Sequence, residues 1–249
     1  MGESVRSAGI DLGSRTIKVV VLDDGRVADF RITDTGTDPL GRARDLLADC
    51  RYDCLSATGY GRYLARDALS CPTLTEIKAY ALGADYLFPN ARTVIDIGGQ
   101  DSKVIRVNRG AVEEFEMNDR CAAGTGKFLE VMAHTLGQSL DDFGPFALSA
   151  PSAVNVSSMC TVFAESEVVT LLARGEKPAN IALGLHRSIV SRLASLLGRV
   201  GCKPEIVFAG GGARNRCMVA LLEQHLATPL RIPDQPQMVG ALGAALAAR

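Results

Sequence analysis

Two cysteines stand where a metal-binding thiolate would be favoured. Cys121 lies in Met117-Asn-Asp-Arg-Cys-Ala-Ala-Gly-Thr-Gly-Lys-Phe128, ahead of an expected helix with an apolar stripe of Phe128, Val131, Met132 and Leu136. Cys160 ends Ser157-Ser-Met-Cys160 and opens a second helical run through Val162, Phe163, Ser166, Val169, Thr170 and Leu172. The free amides and dipole of a helix start favour negative charge. A thiolate placed there has a lowered pKa and is a good metal ligand. An iron–sulfur cluster takes about four thiolates, so two are half a ligand set. The expectation is that Cys121 and Cys160 bind metal at helix starts, and that a second copy of the chain supplies the other half across a two-fold axis. The bland alternative is a pair of buried apolar thiols.

A second chemistry is written twice. Ile10-Asp-Leu-Gly-Ser-Arg-Thr-Ile-Lys-Val-Val-Val-Leu22 returns 85 residues later as Ile95-Asp-Ile-Gly-Gly-Gln-Asp-Ser-Lys-Val-Ile-Arg-Val107. Asp11 matches Asp96, Gly13 matches Gly98, Lys18 matches Lys103, and even the distant Gly25 matches Gly110. Agreement of turn, lysine and apolar positions predicts a duplicated α/β domain, each half opening with a β-hairpin. Glycine in each turn lets backbone N–H groups approach an anion. Ser14 and Gly99 sit where a hydroxyl or bare backbone can take phosphate oxygens, and Asp11 and Asp96, at strand ends, suit a hydrated Mg2+. Two such turns facing across a cleft would grip a polyphosphate from both sides.

Around these stretches the chain reads as ordinary globular protein. Its 249 residues, 47% apolar and 22% charged, fit one large domain or two lobes. A net charge of −1 with no basic stripe argues against nucleic acid and anionic membrane as partners. No run approaches the ~20 apolar residues of a membrane span, and no signal-peptide core precedes the first strand, so a cytoplasmic location is expected. The seven cysteines read as free thiols or ligands in a reducing compartment, with Cys50, Cys54 and Cys71 as core or incidental thiols rather than a zinc site. Helices are predicted over residues 45–50, 74–88 (stripe Ile77, Ala81, Leu82, Tyr86) and 181–200, and a short strand over 230–233. His134, His186 and His225 are isolated, and no Ser-His-Asp or Cys-His arrangement supports acyl transfer. Gly124-Thr-Gly-Lys127 is no Walker loop, because Cys121 and Phe128 stand where Gly and Ser or Thr are needed; its small residues fit close approach to a phosphate or a partner. Pro204-Glu-Ile-Val-Phe-Ala-Gly-Gly-Gly-Ala-Arg-Asn215 reads as a buried strand, three glycines and a helix, a surface for an adenosine. The small-residue helix after Gln237 can pack close against another element. Lobes are expected at 1–90 plus 235–249 and at 91–234.

In order along the chain, Asp11-Leu-Gly-Ser14, Asp96-Ile-Gly-Gly-Gln-Asp101 and Ala209-Gly-Gly-Gly212 resemble the two phosphate motifs and the adenosine motif of the acetate kinase–sugar kinase–Hsp70–actin ATPase superfamily. Within it, residues 94–103, 117–132 and 157–168 resemble the activators of 2-hydroxyacyl-CoA dehydratases, a family that also holds the ATP-binding subunits of benzoyl-CoA reductase. The resemblance covers nearly the whole chain. It implies two ribonuclease H-like lobes around a nucleotide cleft. It also implies a homodimer with one [4Fe-4S] cluster ligated by Cys121 and Cys160 of each chain, ATP or ADP with Mg2+, an electron donor that is a ferredoxin or flavodoxin, and a dehydratase or related reductase as acceptor. Nucleotide contacts carry over to Gly13, Ser14, Arg15, Thr16, Lys18, Gly98, Gly99, Asp101, Gly124, Gly126, Gly210, Gly211, Gly212, Asn215 and Gln237, and catalytic roles to Asp11, Asp96 and Gln100. Residues 29–53 do not match the family securely, and Met159 is bulky for a position beside a cluster. A small-molecule kinase, an actin-like or chaperone-like module, and the electron-transfer subunit of a benzoyl-CoA or double-cubane reductase remain the competing classes.

Overall fold

A computed structural model describes residues 5–157 and 160–248; Met159 lies outside them. Two four-stranded sheets are built on one plan. In the first, β1 (Arg6–Leu12), β2 (Thr16–Asp23) and β3 (Arg26–Asp34) form an antiparallel meander, and β4 (Cys54–Thr58) runs parallel to β1, giving the order β3-β2-β1-β4. In the second, β5 (Thr93–Ile97), β6 (Ser102–Asn108), β7 (Ala111–Asn118) and β8 (Ile206–Ala209) give β7-β6-β5-β8. The duplication reaches backbone detail. The register slips at Val21/Leu22 in one sheet and at Arg106/Val107 in the other. The hairpin turns that follow place Asp24 and Gly25, then Arg109 and Gly110, at positive φ, as a two-residue turn matched to strand twist requires. The edge strand β7 carries Glu113, Glu114 and Glu116, charges that discourage pairing with a further strand.

Three helices belong to the first sheet. On one face Ala43 and Leu47 of α1 (Pro39–Ala48) and Ala65 of α2 (Arg62–Leu69) share a core with Ile10, Ile17 and Val19. On the other, α9 (Val239–Ala247) packs Ala241, Leu242 and Ala245 on Val20 and Leu22. In the second sheet, α3 (Glu76–Leu87) covers Val94, Ile105 and Val107. The opposite side forms the largest core, shared by α4 (Gly126–Thr135), α5 (Leu140–Leu148), α6 (Thr161–Ala173), α7 (Pro178–Val200) and α8 (Arg216–Leu226). Between the sheets α3 and α9 touch backbone to backbone. A Cβ on Gly243 would lie 1.8 Å from the Ala79 carbonyl oxygen, and one on Gly83 would lie 2.1 Å from that of Val239. The expected close packing of this small-residue helix is therefore observed.

Several expectations are corrected. The helix expected at 45–50 spans Pro39–Ala48, because Asp38 caps it, accepting from the Gly41 N–H, and Pro39 starts it. The buried face of α3 is Ala79, Tyr80, Ala81, Gly83 and Ala84. Ile77 and Leu82 are half-buried and Tyr86 is exposed, since the helix turns its small residues, not its large ones, toward α9. The strand expected at 230–233 is a single bridge between Arg231 and Val207. The helices α2 and α5 were not anticipated; Pro145 inside α5 hides the latter. Among the described residues, no helix is long and apolar enough to cross a membrane.

Candidate functional site: a cleft between two glycine turns

The turns at residues 13–15 and 98–101 meet face to face. A Cβ on Gly99 would lie 2.4 Å from Arg15 Cγ and 3.6 Å from Ser14 Oγ, so the bare backbone at 99 is what allows the approach. Thr35 secures the first turn, its Oγ1 donating to the Gly13 carbonyl (2.8 Å) and its N–H to that of Arg15 (3.0 Å). The turns bound a cleft of about 390 Å3. Arg15, Thr16, Lys18, Gly98, Gly99, Gly126, Gly210, Gly211, Gly212, Asn215 and Gln237 line it. Gly13, Ser14, Gln100 and Asp101 sit in the turns behind this lining. Gly124 stands apart: at φ +92°, its Cβ direction points to Arg192 and Asn118. A larger depression of about 910 Å3 lies beside α1 at Arg44, Cys50 and Tyr52, and it takes in none of the phosphate-turn residues.

Beneath the cleft lies a layer of charge. Lys18 Nζ is 3.1 Å from Asp11 Oδ2. In the second copy, Lys103 is sealed among Asp101 (2.7 Å), Glu76 (2.9 Å) and Asp96 (3.1 Å). Burial opposes the Lys103 charge, but Asp96, Glu76 and Asp101 outweigh it and raise its pKa. Burial also lifts Asp96 to about 6, against the pull of Lys103; facing an ammonium with three carboxylate neighbours, it is ionised at neutral pH. Tyr80, fully buried, has its pKa raised by burial and by Asp96 and Asp11. Four carboxylates against two ammonium groups leave the layer short of positive charge. Asp96 Oδ1 is buried with no hydrogen-bond partner, and Gly210 leaves the space in front of it free of side chain, since a Cβ there would lie 2.1 Å away. A carboxylate oxygen buried without a partner, in an electronegative layer under two phosphate-type turns, fits a divalent cation.

The cysteines are placed differently from each other. Cys160 is the N-cap residue of α6 and is exposed, as expected. Cys121 is not at a helix start. It is half-buried in a turn braced by Asn118, whose Nδ2 donates to the carbonyls of Cys121 (2.9 Å) and Ala123 (3.1 Å). Gly124 and a buried Thr125 form a separate turn that leads into α4 at Gly126. That turn docks on the second phosphate turn: the N–H groups of Gly126 and Lys127 donate to the carbonyls of Gly98 (2.8 Å) and Gly99 (2.9 Å). Beside Cys160, Val162 and Phe163 are each 67% exposed and Val169 is 55% exposed, an uncovered apolar helix face. Among the described residues no three His, Cys, Asp or Glu gather as a metal site. Cys50 and Cys71 belong to the core of the first sheet. Burial pushes the Cys217 thiol up to about 12.

His186 is buried and satisfied, as expected. Its Nδ1–H donates to the Ala182 carbonyl (2.7 Å), and its Nε2 accepts from Asn215 Nδ2 (3.0 Å). Asn215 Oδ1 accepts the N–H groups of Cys217 and Met218, capping α8. Asn215 is thereby fixed on all sides while lining the cleft. Sequence reasoning missed Tyr80, Glu76, Glu130 and residues 139–141 as parts of the site. Glu130 left one signal, its spacing of three from Lys127 in a helix that starts on the glycine turn.

These features define a two-lobed nucleotide-cleft protein, and the comparisons agree. The chain belongs to the BadF/BadG/BcrA/BcrD ATPase family, whose profile matches residues 8–248. It is 42% identical over 248 residues to the activator of lactoyl-CoA dehydratase of Anaerotignum propionicum, covering 96% of this chain and 95% of that protein. The crystal structure of (R)-2-hydroxyglutaryl-CoA dehydratase component A of Acidaminococcus fermentans superposes with a TM-score of 0.92 at 40% identity, covering 98% of each chain. The activator of 2-hydroxyisocaproyl-CoA dehydratase from Clostridium difficile, solved with bound ADPNP, superposes with a TM-score of 0.90 at 38% identity, covering 98% of this chain and 94% of that one. The fold is the two-lobed actin-like ATPase fold, as the sequence motifs implied.

Proposed function

We propose that this protein is an ATP-dependent one-electron donor that activates a 2-hydroxyacyl-CoA dehydratase, with a [4Fe-4S] cluster shared by two copies of the chain. The observation that carries the reading is the seam between the second phosphate turn and α4. The carbonyls of Gly98 and Gly99 hold the first amides of α4, and the Cys121 turn leads through Gly124 and Thr125 into that helix. A ligand that moves the phosphate turn therefore moves the base of the cysteine turn. The exposed Cys160, at the start of a helix with an uncovered apolar face, fits a thiol that is completed by a second subunit.

Each set of residues has its task in this reading. The lobes, divided at residues 90/91 and 234/235, close the two turns on the phosphates. Lys18 and the turn amides neutralise phosphate charge. Asp11 and Asp96 would hold Mg2+, which would supply charge neutralisation for the phosphates, and with Gln100 they would orient the attacking water. Phosphoryl transfer asks for positioning and charge stabilisation rather than a covalent step. Gly211, Gly212 and Gln237 form the adenosine surface, with Asn215 held rigid beside it. Cys121 and Cys160 of each subunit would hold the cluster, which would supply one-electron transfer between a ferredoxin or flavodoxin and the dehydratase. Cys160 is the N-cap residue of α6, and the dipole of that helix start would tune this chemistry. Reaction with cytoplasmic partners is expected.

The test is iron and acid-labile sulfide per protomer, on protein prepared without oxygen and sized in the same run. About two of each per protomer in a dimer supports one shared four-iron cluster. None, after reconstitution with iron and sulfide, overturns the electron-transfer reading. Transfer to a dehydratase that proceeds equally with a non-hydrolysable ATP analogue removes hydrolysis from it.

A further inference from the structure

Glu130 is an acid in the wrong place for a phosphate site. It lines the cleft on α4, one turn into the helix whose first amides dock on Gly98 and Gly99. Its Oε2 is 3.1 Å from Arg15 Nη2, and its Oε1 is 3.5 Å from Lys127 Nζ. The Lys127 contact is an ordinary pair three residues apart on one helix. The Arg15 contact is different, because it crosses from the first phosphate turn to the second lobe, with the arginine stem lying on Gly99. Both side chains keep solvent access (51% and 34%), so the pair is weakly held and open to exchange. A terminal phosphate between the turns offers a guanidinium more charge and a matching bidentate face. It also meets the Glu130 carboxylate as a like charge.

We propose that Glu130 is a specificity-determining residue that sets the discrimination between nucleoside triphosphate and diphosphate, by competing with the terminal phosphate for Arg15. This rests on the cleft being the nucleotide site. With a diphosphate bound, Arg15 stays on Glu130 and ties the first turn to α4. With a triphosphate bound, Arg15 turns to the terminal phosphate and the tie is released. The acid thus charges its penalty to the triphosphate alone, and the same exchange frees the helix that follows the Cys121 turn.

The experiment is calorimetric binding of Mg·ADP and of a non-hydrolysable Mg·ATP analogue to the intact protein and its variants. Glu130→Gln is expected to tighten the analogue by about tenfold while ADP changes by less than about twofold. Arg15→Gln is expected to weaken the analogue by about tenfold and leave ADP nearly unchanged. Glu130→Asp, which keeps the charge, retains the parent ratio. Equal changes for both nucleotides, or none, overturn the assignment of Glu130 and leave the cleft intact. Failure of the parent protein to bind either nucleotide overturns the cleft itself, and this proposal with it.

Discussion

Lys18 and Lys103 occupy equivalent points of two copies of one hairpin, each 3.1 Å from the aspartate seven residues before it, but only Lys18 reaches the cleft. Duplication supplied two phosphate-type lysines, and the second has been walled in by Glu76 and Asp101. Removing a buried cation leaves carboxylates facing each other without compensation. Lys103→Met is therefore expected to cost about 3–5 kcal/mol of stability. Lys18→Met should cost less, since Lys18 borders the cleft and pairs with one carboxylate where Lys103 pairs with three, but should weaken nucleotide binding by about tenfold or more. Urea unfolding and calorimetry on the two variants separate the structural copy from the functional one.

The cysteines divide just as sharply. Cys121→Ser and Cys160→Ser should each abolish iron retention under anaerobic reconstitution, and in a symmetric dimer one substitution alters both halves of the site. Cys217→Ala is expected to keep the full iron content, because that thiol is buried in the core on α8. Iron loss in Cys217→Ala with retention in Cys160→Ser would reverse the ligand assignment.

His186 should make the protein acid-sensitive. Burial lowers its pKa to about 4, from the ordinary 6.5. The native state thus binds fewer protons than the unfolded chain between those values. The resulting stability is fully present above pH 6.5 and is lost as pH falls toward 4, amounting to about 3 kcal/mol. The measurement that isolates this imidazole is the difference between parent and His186→Gln in urea at pH 7 and pH 4.5. The parent's advantage should shrink at the lower pH.

Two glycines should respond with opposite signs. At Gly243 a Cβ would strike the Ala79 carbonyl at 1.8 Å, whereas at Gly198, exposed on α7, nothing lies within 4 Å. Gly243→Ala is expected to destabilise by about 3 kcal/mol or more, through separation of α3 and α9. Gly198→Ala should stabilise by about 0.5–1 kcal/mol, by removing backbone freedom from the unfolded chain. Thermal melts of both variants decide it.

Much of this architecture could be read from the sequence because it is written in repeats and turn residues. The spacing of Asp11 and Lys18 against Asp96 and Lys103 carried the duplicated hairpins, and Gly13 and Gly98 carried the facing turns. Three things were not legible. The face of α3 misled because its buried residues are small, and hydrophobic periodicity follows large ones. The Cys121 turn looked like a helix start because nothing in the sequence marks where Asn118 stops the chain from coiling. Tyr80 entered the site through tertiary approach alone, from a helix packed on the second sheet, and the spacing of Glu130 from Lys127 does not foretell its approach across the cleft to Arg15. Composition carries no trace of such approaches.

The contact of Gly9 with Ala241 and Ala245 has a consequence for how the protein is made. A Cβ at Gly9 would lie 2.1 Å from the Ala241 carbonyl, so β1 and α9 are joined almost at van der Waals limit, although nearly the whole described sequence separates them. On the ribosome, Val20 and Leu22 must wait for Met238, Ala241 and Leu242 before that face of the first sheet is covered. The second sheet gets its α3 cover from residues made before it, and α4 to α8 follow directly. The first sheet is therefore covered last, and a released chain truncated before residue 239 should present its opening sheet to protease or chaperone while the core under α4 to α8 has all its residues.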